Sequence, residues 1–125
     1  MLKAKDIMKK KVVTVLPKDS VKKVIKEILD NNVNSVAVKD PAGNIIGWVT
    51  EYDLILAIST VGYGLDVEQI MKKDFIRVKK EATVEEIADI FITNRIKALP
   101  VIDEKGKLIG ILSRRDILEQ LYANA

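Results

Sequence analysis

The chain has 125 residues, 48% hydrophobic and 31% charged, which suits one ordinary domain with a buried core and a soluble surface. It contains no Cys and no His, which excludes disulfides, thiolate or imidazole metal sites, Cys nucleophiles and imidazole general bases. The net charge of +3 lies wholly in residues 1–62, with 10 Lys against 7 acids, while residues 63–125 balance 11 basic against 11 acidic groups.

In chain order, the first β-rich run is Val12-Val13-Thr14-Val15. Ser20 then reads as an N-cap before Val21, Val24, Ile25, Ile28 and Leu29, whose spacing defines one helical face. Strands follow over Ser35–Lys39 and Ile45–Thr50, joined by the turn Asp40-Pro41-Ala42-Gly43-Asn44, where Gly43 supplies a positive φ. A helix starts near Glu51 and carries Leu54, Ile55 and Ile58; Ser59–Gly64 is glycine-punctuated and reads as a linker.

The same order then recurs. Phe75-Ile76-Arg77-Val78 is the strand, and Thr83 caps a helix bearing Val84, Ile87, Ala88, Phe91 and Ile92, with Glu85 and Glu86 in its first turn. Asp103–Lys107 is the second hairpin turn, and a last helix begins near Arg114 with Ile117, Leu118 and Leu121. Sliding the chain by 63 residues aligns it with itself without a gap, giving 13 identities in the 49 positions from residue 7 to residue 55. The organisation expected is therefore a first unit over 1–60, a linker over 61–66 and a second unit over 67–125. Each is a β-α-β-β-α unit of mixed α/β class. A lone unit leaves open sheet edges, so the two are expected to share a core about an approximate twofold axis, with a cleft along it.

Two segments carry candidate chemistry. Gly47-Trp48-Val49-Thr50-Glu51-Tyr52-Asp53 and Gly110-Ile111-Leu112-Ser113-Arg114-Arg115-Asp116 share one pattern: Gly, two apolar residues, a hydroxyl, two variable residues, then Asp. At a strand-to-helix junction the hydroxyl can cap the helix, and the Asp three residues on faces the same way. A carboxylate can accept from both hydroxyls of a ribose, and the helix N-terminus can receive a phosphate. The plainer alternative is that Thr50 and Ser113 only cap and that Asp53 and Asp116 only complement the helix dipole.

With Ile7-Met8 and Ile70-Met71 opening the units, and Ala98-Leu99-Pro100-Val101-Ile102-Asp103 before the second hairpin, the chain resembles the cystathionine-β-synthase (CBS) domain family, as a tandem pair or Bateman module. The resemblance runs from about Ala4 to Leu121. It implies a regulatory module that binds AMP, ADP or ATP between the units and alters assembly or partner binding, with S-adenosylmethionine as an alternative ligand. It implies no cofactor beyond that ligand and no metal or catalytic residues. Transferred by position, it sets Thr50 and Asp53 beside Ile76, and Ser113 and Asp116 beside Val13, with adenine against these residues and Trp48 or Ile111. Val13 and Ile76 read equally well as core packing. A basic residue three before the strand Pro is Lys97 in the second unit but Asn34 in the first, where Ala37 replaces Pro100. Lys97, Arg114 and Arg115 become phosphate candidates, or plain solvated charges.

The resemblance also implies a homodimer and an effector protein acted on in trans. No apolar run is long enough to span a bilayer and the N-terminus has no signal-peptide stretch, so the expected location is the cytoplasm. A competing class is a nucleic-acid-binding, transcription-linked accessory protein, suggested by Lys9-Lys10-Lys11 and Lys72-Lys73; the lack of a dense basic stripe with interleaved aromatics disfavours it. As an enzyme, the chain offers only the pair Asp53 and Asp116, without a nucleophile–base pair beside them. The expectation is a protein that is not an enzyme.

Overall fold

A computed structural model describes residues 1–124. The elements are α1 (Ala4–Ile7), β1 (Thr14–Val15), α2 (Val21–Asn31), β2 (Ser35–Lys39), β3 (Ile45–Thr50), α3 (Glu51–Thr60), α4 (Val67–Ile70), β4 (Val78–Lys79), α5 (Val84–Asn94), β5 (Ala98–Ile102), β6 (Leu108–Ser113) and α6 (Arg114–Ala123). They form two three-stranded sheets, β1-β2-β3 and β4-β5-β6. In each the first pair is parallel and the second antiparallel. The antiparallel registers match at the 63-residue offset, Ala37 facing Trp48 as Pro100 faces Ile111. This is the mixed α/β architecture expected from the repeat.

The compact units do not follow the repeat boundaries. One is Val13–Phe75; the other is Met1–Val12 together with Ile76–Ala125. Each sheet is thus completed by a short helix borrowed from the other repeat. In the Val13–Phe75 unit, the N–H groups of Val67 and Glu68 donate to the carbonyls of Asp19 and Pro17. In the other, the N–H groups of Ala4 and Lys5 donate to Ala82 and Lys80. The sequence signal for α4 was readable, because Asp66 and Gln69 form a reciprocal capping box. α1 has Lys3 at its cap position, whose N–H donates to Asp6 Oδ2 at 2.9 Å.

Each unit has its own apolar centre. Val15, Val21, Val24, Ile28, Val36, Val38, Val49, Leu54 and Val67 pack in one, with Ile70 and Met71 partly buried against them. Ala4, Val78, Ile87, Phe91, Leu99, Val101, Leu112 and Ile117 pack in the other, with Ile7 and Met8 against them. Five residues of the sequence-derived helix faces point outward instead: Leu29, Ile92, Ile55, Leu118 and Leu121 are 72%, 76%, 65%, 63% and 57% exposed. At Leu29 and Ile92, the last members of their series, the i, i+3, i+4 pattern continues past the stretch of helix that meets the sheet.

The first strand of each repeat is also shorter than its β-rich run, because Val12 and Val13 precede β1, and Phe75 and Ile76 precede β4. Gly43 and Gly106 take the expected positive φ, 88° and 82°, in the two hairpin turns. Among the described residues no helix is long and apolar enough to cross a membrane.

Candidate functional site

The two Gly…Asp segments build the same cap. In the Val13–Phe75 unit, Thr50 ends β3 in extended conformation and Asp53 is the third residue of α3. The Asp53 N–H donates to Thr50 Oγ1 at 3.2 Å, while the Thr50 N–H and Oγ1–H donate to Asp53 Oδ2 at 3.0 and 2.9 Å. In the other unit the Asp116 N–H donates to Ser113 Oγ at 3.3 Å, and Ser113 returns 2.8 and 3.1 Å bonds to Asp116 Oδ2. A Glu or Gln closes such a box more often. Here an Asp closes it, only 8% exposed at Asp53 and 4% at Asp116.

The second carboxylate oxygen meets a lysine that the sequence reading had counted only as part of a basic run. Lys72 Nζ lies 3.5 Å from Asp53 Oδ1, and Lys9 Nζ lies 3.3 Å from Asp116 Oδ1. Both lysines are held by backbone. Lys72 exchanges two 3.0 Å bonds with Trp48, and Lys9 two 2.9 Å bonds with Ile111. These two-residue bridges also cover the free edges of β3 and β6, which would otherwise offer unpaired backbone to another chain. The signal that could have found the lysines was already visible, since Ile7-Met8-Lys9-Lys10 and Ile70-Met71-Lys72-Lys73 are the longest identity between the repeats.

The glycine of each motif follows from the same approach. A Cβ on Gly47 would stand 2.3 Å from Met71 Sδ; one on Gly110 would stand 2.4 Å from Met8 Sδ and 3.1 Å from the Lys9 carbonyl oxygen. Only glycine lets the segment carrying the lysine lie this close to the strand.

Asn34 and Lys97 are brought to the caps through their carbonyls, which accept the N–H of Glu51 at 3.0 Å and of Arg114 at 3.1 Å. The first and third N–H groups of each helix are thereby engaged, and the second, on Tyr52 or Arg115, is the first-turn donor outside these bonds. Arg114, Arg115 and Lys97 are exposed. Trp48 is buried and stacks on Phe75, with ring centroids 6.5 Å apart and planes 23° apart; its counterpart Ile111 is half-buried. Val13 packs against the apolar centre of the unit holding Thr50 and Asp53, and Ile76 against that of the unit holding Ser113 and Asp116. Among the described residues no group of acids could hold a metal ion.

Chemically, each cap is a nearly buried carboxylate with one oxygen committed to the helix end and one turned toward an ammonium. The committed oxygen already takes two donors. The other can accept a ligand hydroxyl only by sharing with the lysine or releasing it.

The family model of the CBS domain matches residues 4–60 and again 67–123. The chain belongs to the CBS domain family. It is 34% identical over 119 residues to an uncharacterized 17.7 kDa protein of Acidianus ambivalens, covering 95% of this chain and 73% of that protein. It is 31% identical over 118 residues to inosine-5′-monophosphate dehydrogenase of Methanocaldococcus jannaschii, covering 94% of this chain but 23% of that enzyme. Among solved structures, CBSX2 in complex with AMP superposes with a TM-score of 0.89 at 26% identity, over 99% of this chain and 98% of that one. The CBS domain pair of protein MJ0100, in complex with 5′-methylthioadenosine and S-adenosyl-L-methionine, has the same fold. Its TM-score is 0.90 at 23% identity, over 99% and 98% of the two chains. The tandem CBS pair read from the repeat is therefore the fold of this chain.

Proposed function

We propose that this CBS pair is a regulatory module that binds an adenosine-containing ligand through its two hydroxyl–Asp caps. The observation that carries the reading is the twice-built carboxylate, held by Thr50 or Ser113 on Oδ2 and facing a lysine on Oδ1. Ribose hydroxyls donate to Oδ1 of Asp53 and Asp116. The displaced ammonium of Lys72 or Lys9 turns to the phosphate, so an anionic nucleotide replaces an internal ion pair with an external one. A neutral nucleoside would strand the charge. The AMP bound to a relative at 26% identity supports this ligand class. The resemblance adds apolar contacts to adenine from Val13, Ile76, Trp48 and Ile111.

AMP, ADP or ATP fits the cap at Ser113 best, where Lys9, Lys97, Arg114 and Arg115 are all cationic. The cap at Thr50 has Asn34, Glu51 and Tyr52 at the matching positions. That less cationic setting also suits the sulfonium of S-adenosylmethionine. A nucleic-acid role draws less support, because two lysines of the basic runs are turned onto Asp53 and Asp116. The reading makes the chain a cytoplasmic homodimer and not an enzyme, its output acting on another protein.

The test is thermal melting with AMP, ADP, ATP, S-adenosylmethionine and GTP, on wild type, Asp53→Ala, Asp116→Ala and the double variant. A ligand at one hundred times its Kd stabilises the native state by about 2.7 kcal/mol, a shift of several degrees for a domain of this size. If no adenosine compound moves the wild-type midpoint, the reading fails. If the double variant responds like wild type, the caps are not the site.

A further inference from the structure

Sulfur is confined to three methionines, because the chain has no Cys. Met1 is 91% exposed. Met8 and Met71 are half-buried, correspond at the 63-residue offset, and are the C-caps of the two short helices. The Met8 N–H donates to the Ala4 carbonyl and the Met71 N–H to that of Val67, each at 2.9 Å. Each sulfur then lies against a glycine of a neighbouring strand, Met71 Sδ on Gly47 of β3 and Met8 Sδ on Gly110 of β6, with no room between them for one added carbon.

The start of each short helix is fixed without sulfur. Ala4 and Val67 are fully buried. Beside them Glu68 pairs with Lys18 at 2.7 Å, and the equivalent Lys5 pairs with Glu81 at 3.4 Å, so one junction occurs twice with its signs exchanged. The end of each helix is different, because the methionine leads straight into the lysine that faces a cap. Lys72 follows Met71 and exchanges its backbone bonds with Trp48, which follows Gly47; Lys9 follows Met8 and does the same with Ile111, which follows Gly110. The ion pairs of Lys72 with Asp53 and of Lys9 with Asp116 complete each clip.

We propose that Met8 and Met71 are matched oxidation sites, and that conversion of each thioether to the sulfoxide by hydrogen peroxide releases the lysine clip beside it. The sulfur attacks one peroxide oxygen; an S–O bond forms as the O–O bond breaks, and the departing oxygen leaves as water with both protons. Sulfur is oxidised and the peroxide reduced. A soft apolar side chain becomes a bulkier, polar one. The gap between sulfur and glycine has no space for the new oxygen, and burying it without a donor is costly. The sulfoxide therefore turns outward. Met71 carries Lys72 off Trp48 and Asp53, and Met8 carries Lys9 off Ile111 and Asp116. The edges of β3 and β6 lose their cover, while Ala4 and Val67 keep the short helices seated. No cysteine competes for the oxidant, and neither release needs a ligand.

The experiment treats the full chain with hydrogen peroxide, follows each methionine by peptide mass spectrometry and follows the backbone amides by hydrogen exchange. Oxidation at Met71 should speed exchange of the Trp48 and Lys72 amides by at least about ten-fold, and oxidation at Met8 should do the same for Ile111 and Lys9. The amides of Val67 and Ala4, which donate to Asp19 and Ala82, should keep their protection. Met71→Leu nearly conserves volume and offers no sulfur, so peroxide should then open the Lys9 clip alone; Met8→Leu should confine opening to the Lys72 clip. Methionine sulfoxide reductases for both epimers should restore protection in oxidised wild type, a cycle that needs no variant. The proposal is overturned if peroxide oxidises only Met1 in the folded chain, or if Met8 and Met71 take up oxygen while the four clip amides exchange as before. It is overturned if reduction leaves the clips open, or if Met8→Leu/Met71→Leu opens under peroxide as wild type does. Loss of protection spread over both sheets and their helices would also overturn it, since that is general unfolding and not release of a clip.

Discussion

The unit Val13–Phe75 and the unit formed by Met1–Val12 with Ile76–Ala125 share a fold and differ in part of their cores and in the charge around their caps. The shared bonds are the capping boxes at Thr50 and Ser113, the bridges of Lys72 to Trp48 and Lys9 to Ile111, and the carbonyl ties from Asn34 and Lys97. Each requires a particular residue type or only a peptide group, and each recurs. Positions that merely fill space are held less uniformly: Val15 and Val38 match Val78 and Val101, but Val36 and Val49 in one core are Leu99 and Leu112 in the other. Trp48 stacks on Phe75 in one unit, where the other has Ile111 and Val12. The difference teaches that the frame is common property while core volume, rim charge and aromatic content were free to specialise each cap.

The largest expected effects probe the cores. Leu99 and Leu112 are fully buried, so truncation to Ala should destabilise by about 2–5 kcal/mol, transfer and cavity terms together. Val36→Ala and Val49→Ala remove fewer methyl groups and should cost roughly 1.5–3 kcal/mol. Urea denaturation gives both. If the valine variants unfold as easily as the leucine ones, the two cores are not the separate apolar centres described. Next come the motif glycines. Gly47→Ala and Gly110→Ala should each destabilise by about 1–3 kcal/mol through overpacking. The two should be similar, because each new Cβ meets one atom that cannot swing aside, Met71 Cβ at 3.0 Å from Gly47 and the Lys9 carbonyl oxygen at 3.1 Å from Gly110. Adding Met71→Ala or Met8→Ala should therefore recover only part of either loss in urea denaturation.

Much of this was legible in the sequence because it depended on local rules. The gapless repeat, the Ser20 and Thr83 caps, the hairpin glycines and the hydroxyl–Asp pattern are all short-range signals, and all reappear as structure. What could not be read was which repeat each short helix completes. That choice rests on sign-exchanged pairs such as Lys18–Glu68 and Lys5–Glu81 and on the contact of each Met with a glycine far along the chain. For the same reason Lys9 and Lys72 looked like parts of a basic run, although each reaches a carboxylate more than 18 residues away. Helical periodicity, for its part, overstated burial at Leu29, Ile55, Ile92, Leu118 and Leu121, because it marks a face without saying how much of that face the sheet covers.

Smaller effects should separate the caps as ligand sites. Trp48 is the only tryptophan and its backbone is bonded to Lys72, so ligand at the Thr50 cap should change its fluorescence while ligand at the Ser113 cap should not. Asp116→Ala and Asp53→Ala should each weaken one site about ten-fold, near 1.4 kcal/mol. Lys97→Ala should remove preference for ATP over AMP at the Ser113 cap alone. Lys9→Met and Lys72→Met test the proposed exchange of ion pairs: each should lower affinity for ATP and leave or raise affinity for adenosine. Equal losses for ATP and adenosine would mean that the lysines only support the fold. Calorimetry resolves the two sites, with fluorescence assigning one of them.

The smallest effect concerns the sign-exchanged junctions and follows from their titration. The hydrogen bond and charge of Lys18 hold the Glu68 carboxyl below its usual range, and Lys3, with Lys5, does the same for Glu81. A carboxyl whose pKa is lower folded than unfolded stabilises the native state at neutral pH. That contribution fades once the unfolded carboxyl begins to take up protons, near the ordinary value of 4.5, and is gone when pH has fallen through the folded value. Lys18 shifts the opposite way, its partner Glu68 raising it above 10.5. Its contribution is complete below the unfolded value and is lost as pH rises through the raised folded one. Glu68→Gln should therefore flatten both the acid and the alkaline limbs of the stability profile, whereas Glu81→Gln should flatten the acid limb. Both groups are solvent-exposed, so salt should shrink the differences. Urea midpoints from about pH 3 to about pH 11, at low and high salt, measure them. If neither glutamine variant changes either limb, the exposed pairs hold no measurable preference for one repeat over the other. The placement of α1 and α4 would then rest on the Met–Gly contacts and the backbone bonds alone.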